Sequence, residues 1–135
     1  MRRRRDGELF AMKVVAGVEE EEKQLVINEA SLIAFLDSDE LIKCVDLYYY
    51  GPARTKSIYI VLELMDQGSM DRIVTRDYEN YSEDFCRYSL YKVALGLSKM
   101  HRHNVLHRDI KSDNVLYSRK GEVKITDLGF SCFLS

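Results

Sequence analysis

The sequence predicts an α+β fold in two parts, and three observations predict it. Short apolar runs broken by turn residues fill the first half, with one long helical stretch among them. A helical stripe leads the second half, and only short β-like pieces follow it. Between the halves, Met65-Asp66-Gln67-Gly68 interrupts both patterns, so a boundary at Gly68 divides the chain into residues 1–67 and 68–135.

Each element follows from its residues. Asp6-Gly7 reads as a turn feeding the apolar run Phe10 to Val15, a strand that carries an unexpected charge, Lys13. Arg2 to Arg5 sit at the exposed end of that turn, and a run of four is short for a basic patch. The acids Glu19 to Glu22 suit the positive end of a helix dipole, and Leu25, Asn28, Glu29, Leu32, Ile33 and Phe35 follow at helical spacing. One helix over Glu19 to Phe35 results. Val45 to Tyr50 and Ile58 to Leu64 read as strands joined around Gly51-Pro52. Consecutive strand residues face opposite ways, which divides Tyr48, Tyr49 and Tyr50 between core and surface.

A short helix is expected near Ser69 to Val74. Ser82 is a candidate N-cap, with Glu83 and Asp84 in the first turn after it. Phe85, Ser89, Val93, Gly96, Leu97 and Met100 then form a helical stripe, and His101 and His103 follow the helix end, where a cation is favourable. Val105-Leu106, Val115 to Tyr117 and Val123 to Ile125 are the closing β-like pieces.

Composition narrows the function classes. At 135 residues, 46% hydrophobic and 31% charged, the chain has the make-up of an ordinary globular protein. A formal net charge of −2 implies no broad basic surface, so no nucleic-acid partner is expected. Cys44, Cys86 and Cys132 are widely spaced and form no metal-like pattern, which favours reduced thiols. Apolar runs fall far short of the ~20 residues that cross a bilayer, so no membrane partner is expected. With no signal-peptide pattern at the start, a cytoplasmic or nuclear location is expected.

The informative residues are polar groups set into apolar strands and loops. Lys13 lies in a strand and Glu29 on the next helix; Asp109 and Asn114 share a loop; Asp127 follows the strand ending at Ile125. Phosphoryl transfer needs these types together: a cation on the phosphates, an acid holding that cation, oxygen ligands for Mg²⁺, and a carboxylate to orient the attacking hydroxyl. Any one alone has an ordinary structural reading. A lysine can snorkel from an edge strand, and a helical glutamate usually faces water.

In its motifs the chain resembles a eukaryotic protein kinase over nearly its full length. His107-Arg108-Asp109-Ile110-Lys111-Ser112-Asp113-Asn114 matches the catalytic-loop signature, and Ala11-Met12-Lys13 resembles the strand motif that bears the phosphate-contacting lysine. Asp127-Leu128-Gly129 resembles the magnesium-binding motif, with Leu for the commoner Phe. The resemblance implies a two-lobe fold, here truncated: a partial β-rich N-lobe with one long helix, and the first part of a helical C-lobe. It implies an ATP-dependent serine/threonine kinase with ATP and Mg²⁺ as cofactors and a protein substrate. Lys13 and its partner Glu29 would grip the nucleotide, Asp109 would orient the hydroxyl, and Lys111 would neutralise the moving phosphoryl group. Asn114 and Asp127 would ligate the metal. Val61 to Met65 resembles the hinge, with Leu62 as gatekeeper, backbone groups of Glu63 and Met65 against adenine, and Ala11 and Leu116 on its two faces. Lys111 after the catalytic aspartate is typical of serine/threonine kinases. The fuller loop string and Asp66-Gln67-Gly68-Ser69 look most like the p21-activated, sterile-twenty-like group, so a small GTPase partner follows by analogy only.

Two departures shape the expectation. Only ten residues precede Ala11, with one glycine, Gly7, so the family's Gly-rich loop is not present. The chain stops six residues after Gly129, short of the activation segment and the A-P-E motif. A fragment inactive by itself is therefore expected, the alternative being a kinase-derived, non-catalytic binding module. Arg108 beside Asp109 implies control through an Arg–phosphate pair.

Overall fold

Alternation places Ala11, Lys13 and Val15 on one face of their strand, and the strand's position in a sheet decides what that face meets. In the computed structural model, which describes residues 1–17, 19–51, 57–76 and 82–134 apart from the side chains of residues 20 and 21, this strand is β1 (Phe10–Val15). It follows a hairpin in which Arg3 N–H donates to Glu8 O and Gly7 N–H to Arg3 O, closed by the Arg2–Leu9 bridge. The Arg2 to Arg5 run lies on this hairpin, with Arg3 paired to Asp6 and Glu8.

Helix α1 (Glu20–Leu36) comes next, then β2 (Cys44–Tyr50) and β3 (Ser57–Glu63). The three strands form an antiparallel sheet in the order β1-β3-β2. The central strand is the most buried, and its Ile58 and Ile60 are almost fully buried. Ala11 pairs with Leu62 and Lys13 with Ile60, which puts all four on one face. The expected β2–β3 turn reaches Pro52, which lies outside the described residues.

None of Tyr48, Tyr49 and Tyr50 enters the core, contrary to the expected division. Tyr50 is 76% exposed. Their strand is the edge of the sheet, so the rings meet neighbours on its surface: Tyr48 stacks on Tyr59 at 5.7 Å, and Lys23 lies over Tyr49.

Next along the chain is β4 (Gly68–Ser69), which the sequence does not announce. Gly68 sits at φ 84°, where a side chain would be strained, and it pairs with Tyr117. Helix α2 (Met70–Arg76) follows, then α3 (Glu83–Arg102), whose first turn is capped by Ser82 accepting from Phe85 N–H at 3.1 Å. Strand β5 (Val105–Leu106) pairs with β8 (Cys132–Phe133), a second unforeseen strand. Strands β6 (Val115–Tyr117) and β7 (Val123–Ile125) form a hairpin that completes the sheet β4-β6-β7.

The main core lies where the two parts meet. Ile33 and Leu36 of α1 pack with Leu41, Ile42, Met65, Met100, Val105, Ile125 and Leu128. Each such side chain stabilises the fold by about 1.5–3 kcal/mol when fully buried, so the halves are joined by apolar packing as well as by the linker. A smaller cluster of Val115, Tyr117 and Val123 packs under Met70, Ile73, Phe85 and Val93. On α3, Ser89, Gly96 and Met100 of the expected stripe are buried, while Leu90 and Tyr91 on another face are exposed.

Candidate active site

The face shared by Ala11 and Lys13 turns toward α1. Lys13 Nζ reaches both oxygens of Glu29, at 3.0 and 2.8 Å, and lies 3.9 Å from Asp127 Oδ1. Glu29 is only 8% exposed. A carboxylate at that depth needs a cation, and Lys13 supplies it with two charge-assisted hydrogen bonds. Lys13 therefore stands between two acids from distant parts of the chain, fixed at one and within reach of the other.

The loop after β5 gathers the second group. The Asp109 carboxylate accepts from Lys111 Nζ at 2.8 Å and from Asn114 Nδ2 at 3.1 Å, and Asn114 Nδ2 also reaches Asp109 O at 2.9 Å. These donors favour the charged form: the Lys111 hydrogen bond is the main reason that the Asp109 carboxyl titrates below the ordinary range, with burial opposing it. Lys111 is raised in turn, chiefly by the same bond. With Nδ2 committed to Asp109, Asn114 presents its amide oxygen, the atom that a hard cation takes.

His107 holds this loop from beneath. The ring is 2% exposed; its Nδ1 accepts from Asp109 N–H at 3.2 Å, which leaves Nε2 to donate to Thr126 O at 3.0 Å. Thr126 N–H donates to Asn114 O at 3.0 Å. One imidazole and one backbone bond thus tie Asp109 and Asn114 to the segment that carries Asp127. Asp127 and Arg108 adopt φ of 64° and 66°, left-handed values that are uncommon for side-chain-bearing residues and cluster at functional sites. Arg108 Nε donates to Phe130 O at 2.5 Å, which joins the loop to the residues after Gly129.

The residues expected around a base converge as well. Leu62 and Leu116 pack against the main core beside the buried Met65, and Ala11 is the register partner of Leu62. Glu63 N–H donates to Lys43 O at 3.1 Å, and Met65 O accepts from Gly68 N–H at 3.2 Å. Neither of these bonds uses the Glu63 carbonyl or the Met65 N–H. An open cleft of about 470 Å³ lies beside this site, between α1 and residues 128–133, lined by Leu25, Leu32, Phe35, Leu128 and Phe133.

Sequence reasoning missed two kinds of residue. His107 was read only as part of a motif, and its bridging role depends on partners up to 19 residues away. Lys124 was passed over, although it carries the same signal as Lys13, a charge inside an apolar strand. Its ammonium binds Glu63 Oε1 at 2.7 Å.

A cation held by a buried acid, a hydrogen-bonded carboxylate and two oxygen donors define a site suited to phosphoryl transfer. The sequence profile of the protein kinase domain matches residues 1–135, and the chain belongs to that family. Among the relatives it matches are several named serine/threonine-protein kinases. It is 38% identical to serine/threonine-protein kinase STE20 of Yarrowia lipolytica over 80% of this chain and 9% of that protein. It is 35% identical to MST20 of Pyricularia oryzae over 90% of this chain and 13% of the relative, and 32% identical to greatwall of Xenopus laevis over 96% and 14%. STE20 and MST20 agree with the group to which the loop string pointed. The chain thus spans roughly a tenth of the length of these curated relatives.

Proposed function

We propose that the chain forms the nucleotide- and metal-binding part of an ATP-dependent kinase that phosphorylates serine or threonine hydroxyls of protein substrates. The observation that carries this reading is the Lys13–Glu29 pair, bidentate and set 3.9 Å from Asp127. A buried acid fixing a cation next to a second acid suits a triphosphate and its metal.

The residues fit both cofactors. Ala11 above and Leu116 below would enclose adenine, with Leu62 behind it and the Glu63 carbonyl and Met65 N–H at its edge. Lys13 would bind the phosphates. Asp127 and the Asn114 oxygen would hold Mg²⁺, an ion that typically uses one or two protein carboxylates and completes its shell with phosphate and water. When bound, the metal would offset the negative charge of the phosphates. Asp109 would orient the substrate hydroxyl and accept its proton, Lys111 would offset charge beside it, and Glu29 would keep Lys13 in position. The division at Gly68 would then separate residues 1–67, which bring Lys13 and the hinge, from residues 68–135, which bring the loop.

The direct test is Asp109→Asn in the full-length protein. Transfer to a serine-containing protein should fall by about 10²–10⁴-fold, the usual worth of a general base, while Mg-ATP affinity stays within about twofold. An equal loss of nucleotide binding would make Asp109 structural and end this assignment.

A further inference from the structure

Lys124 is a buried cation that the reaction itself does not use. It lies in β7 between Val123 and Ile125, is 4% exposed, and is the register partner of Leu116 across the β6–β7 hairpin. Directly opposed residues of an antiparallel pair share a face. Lys124 and Leu116 therefore leave the hairpin on the same side, one toward Glu63 and the other toward the floor of the proposed base pocket.

Glu63 is held by three hydrogen bonds. Its Oε1 accepts from Lys124 Nζ at 2.7 Å and from Lys43 N–H at 2.7 Å, and its own N–H donates to Lys43 O at 3.1 Å. The next residue pairs of the same segments are also bonded: Ile125 N–H donates to Glu40 O at 2.8 Å and Ile42 N–H to Ile125 O at 2.9 Å. Residue 63 is thus fixed against both its own sheet and the strand beneath, and its side chain carries the only bond among these that joins a charged pair.

We propose that Lys124 is a positioning residue that sets the base preference of the nucleotide pocket by holding Glu63 in register with Leu116. This rests on the reading above, in which the Glu63 carbonyl and the Met65 N–H meet adenine. A carbonyl acceptor facing the exocyclic amine beside a donor facing a ring nitrogen matches adenine; guanine presents a carbonyl where the amine would be. Hydrogen bonds weaken steeply with small errors of distance and angle, and a site built around them discriminates only while its groups stay in place. Phosphate and floor contacts are common to both nucleotides. Release of Glu63 should consequently cost adenine binding selectively.

The test is equilibrium binding of Mg-ATP and Mg-GTP to the full-length protein. The unaltered protein should prefer ATP by at least about tenfold, a difference of about 1.4 kcal/mol. Lys124→Met should weaken ATP about tenfold and leave GTP within about twofold, and Lys124→Arg should keep the original ratio. If Lys124→Met does not fold, Glu63→Gln with Lys124→Met removes both charges and should show the same narrowed ratio. A variant lacking Lys124 that retains the original ATP-to-GTP ratio, even with a lowered melting temperature, overturns the proposal and makes Lys124 structural. Failure of the unaltered protein to bind ATP, or to prefer it, instead overturns the nucleotide reading itself.

Discussion

Glu40 and Lys92, 52 residues apart, form an ion pair at 2.9 Å beneath the junction of the two parts, and Lys99 from the next turns of α3 binds the same carboxylate. Glu40 is 6% exposed in its side chain and also accepts from Ser38 Oγ at 2.9 Å. This triad fastens the loop after α1 to α3. The same loop lies in parallel register with β7 through the Leu41–Ile125 bridge. The helix that carries Glu29 and the strand that leads to Asp127 are thereby referred to one anchor.

Acid should release that anchor. Burial would push the Glu40 carboxyl up, but hydrogen bonds from Lys99, Lys92 and Ser38 outweigh it and hold the group at about 2, below the ordinary 4.5. A depressed folded-state value gives stability that is complete above the unfolded-state value and lost as pH falls through the folded one. The contribution, on the order of 3 kcal/mol, should therefore fade between about pH 4.5 and pH 2. Urea unfolding across that range should show it. In Glu40→Gln the slope over this window should flatten, and neutral-pH stability should drop by about 3–5 kcal/mol because two cations lose their acid. An unchanged acid slope would mean that the triad does not form.

Gly96 should resist even one added carbon. A Cβ there would lie 2.9 Å from Ile125 Cδ1 and 3.1 Å from Glu40 Cβ. Alanine normally favours a helix over glycine by up to about 1 kcal/mol, yet overpacking at such distances costs about 1–3 kcal/mol. Gly96→Ala should thus lower the midpoint of denaturant unfolding. A raised midpoint would show that α3 and β7 have slack between them.

Lys111 should tune the pH dependence of transfer. Its bond is the first cause of the lowered Asp109 titration. The proposed base is accordingly ionised through neutral pH, and activity should decline only below the ordinary aspartate range. Lys111→Met removes a donor that favours the carboxylate, so the acid limb of the kcat profile should move up toward that range. A limb that stays in place would deny the coupling between these residues.

Much of the fold was legible because local patterns and global structure agree. Ser82 with Glu83 and Asp84 announced α3, and the apolar runs around Lys13 and Ile60 announced β1 and β3. Strands β4 and β8 were not foreseen because Gly68-Ser69 and Cys132-Phe133 hold no β-branched residue of the kind Val105 gives the equally short β5; their pairing with Tyr117 and Val105 comes entirely from distant partners. The tyrosines of β2 misled for a related reason. Alternation separates two faces, but the strand's place at the sheet edge decides whether either face is buried.

By itself the sequence determined which residues the proposed chemistry uses: His107 to Asn114, Lys13, Glu29 and Asp127 carry types and spacing that resemble a kinase site, since such a motif needs particular residues at particular positions. Tertiary structure alone decided how they are held. His107 reaches Thr126, Glu40 gathers Lys92 and Lys99, and Glu63 takes Lys124 from 61 residues away. A buried charge or ring nitrogen must find its partner wherever the folded chain brings one near, and that requirement leaves no fixed spacing in the sequence.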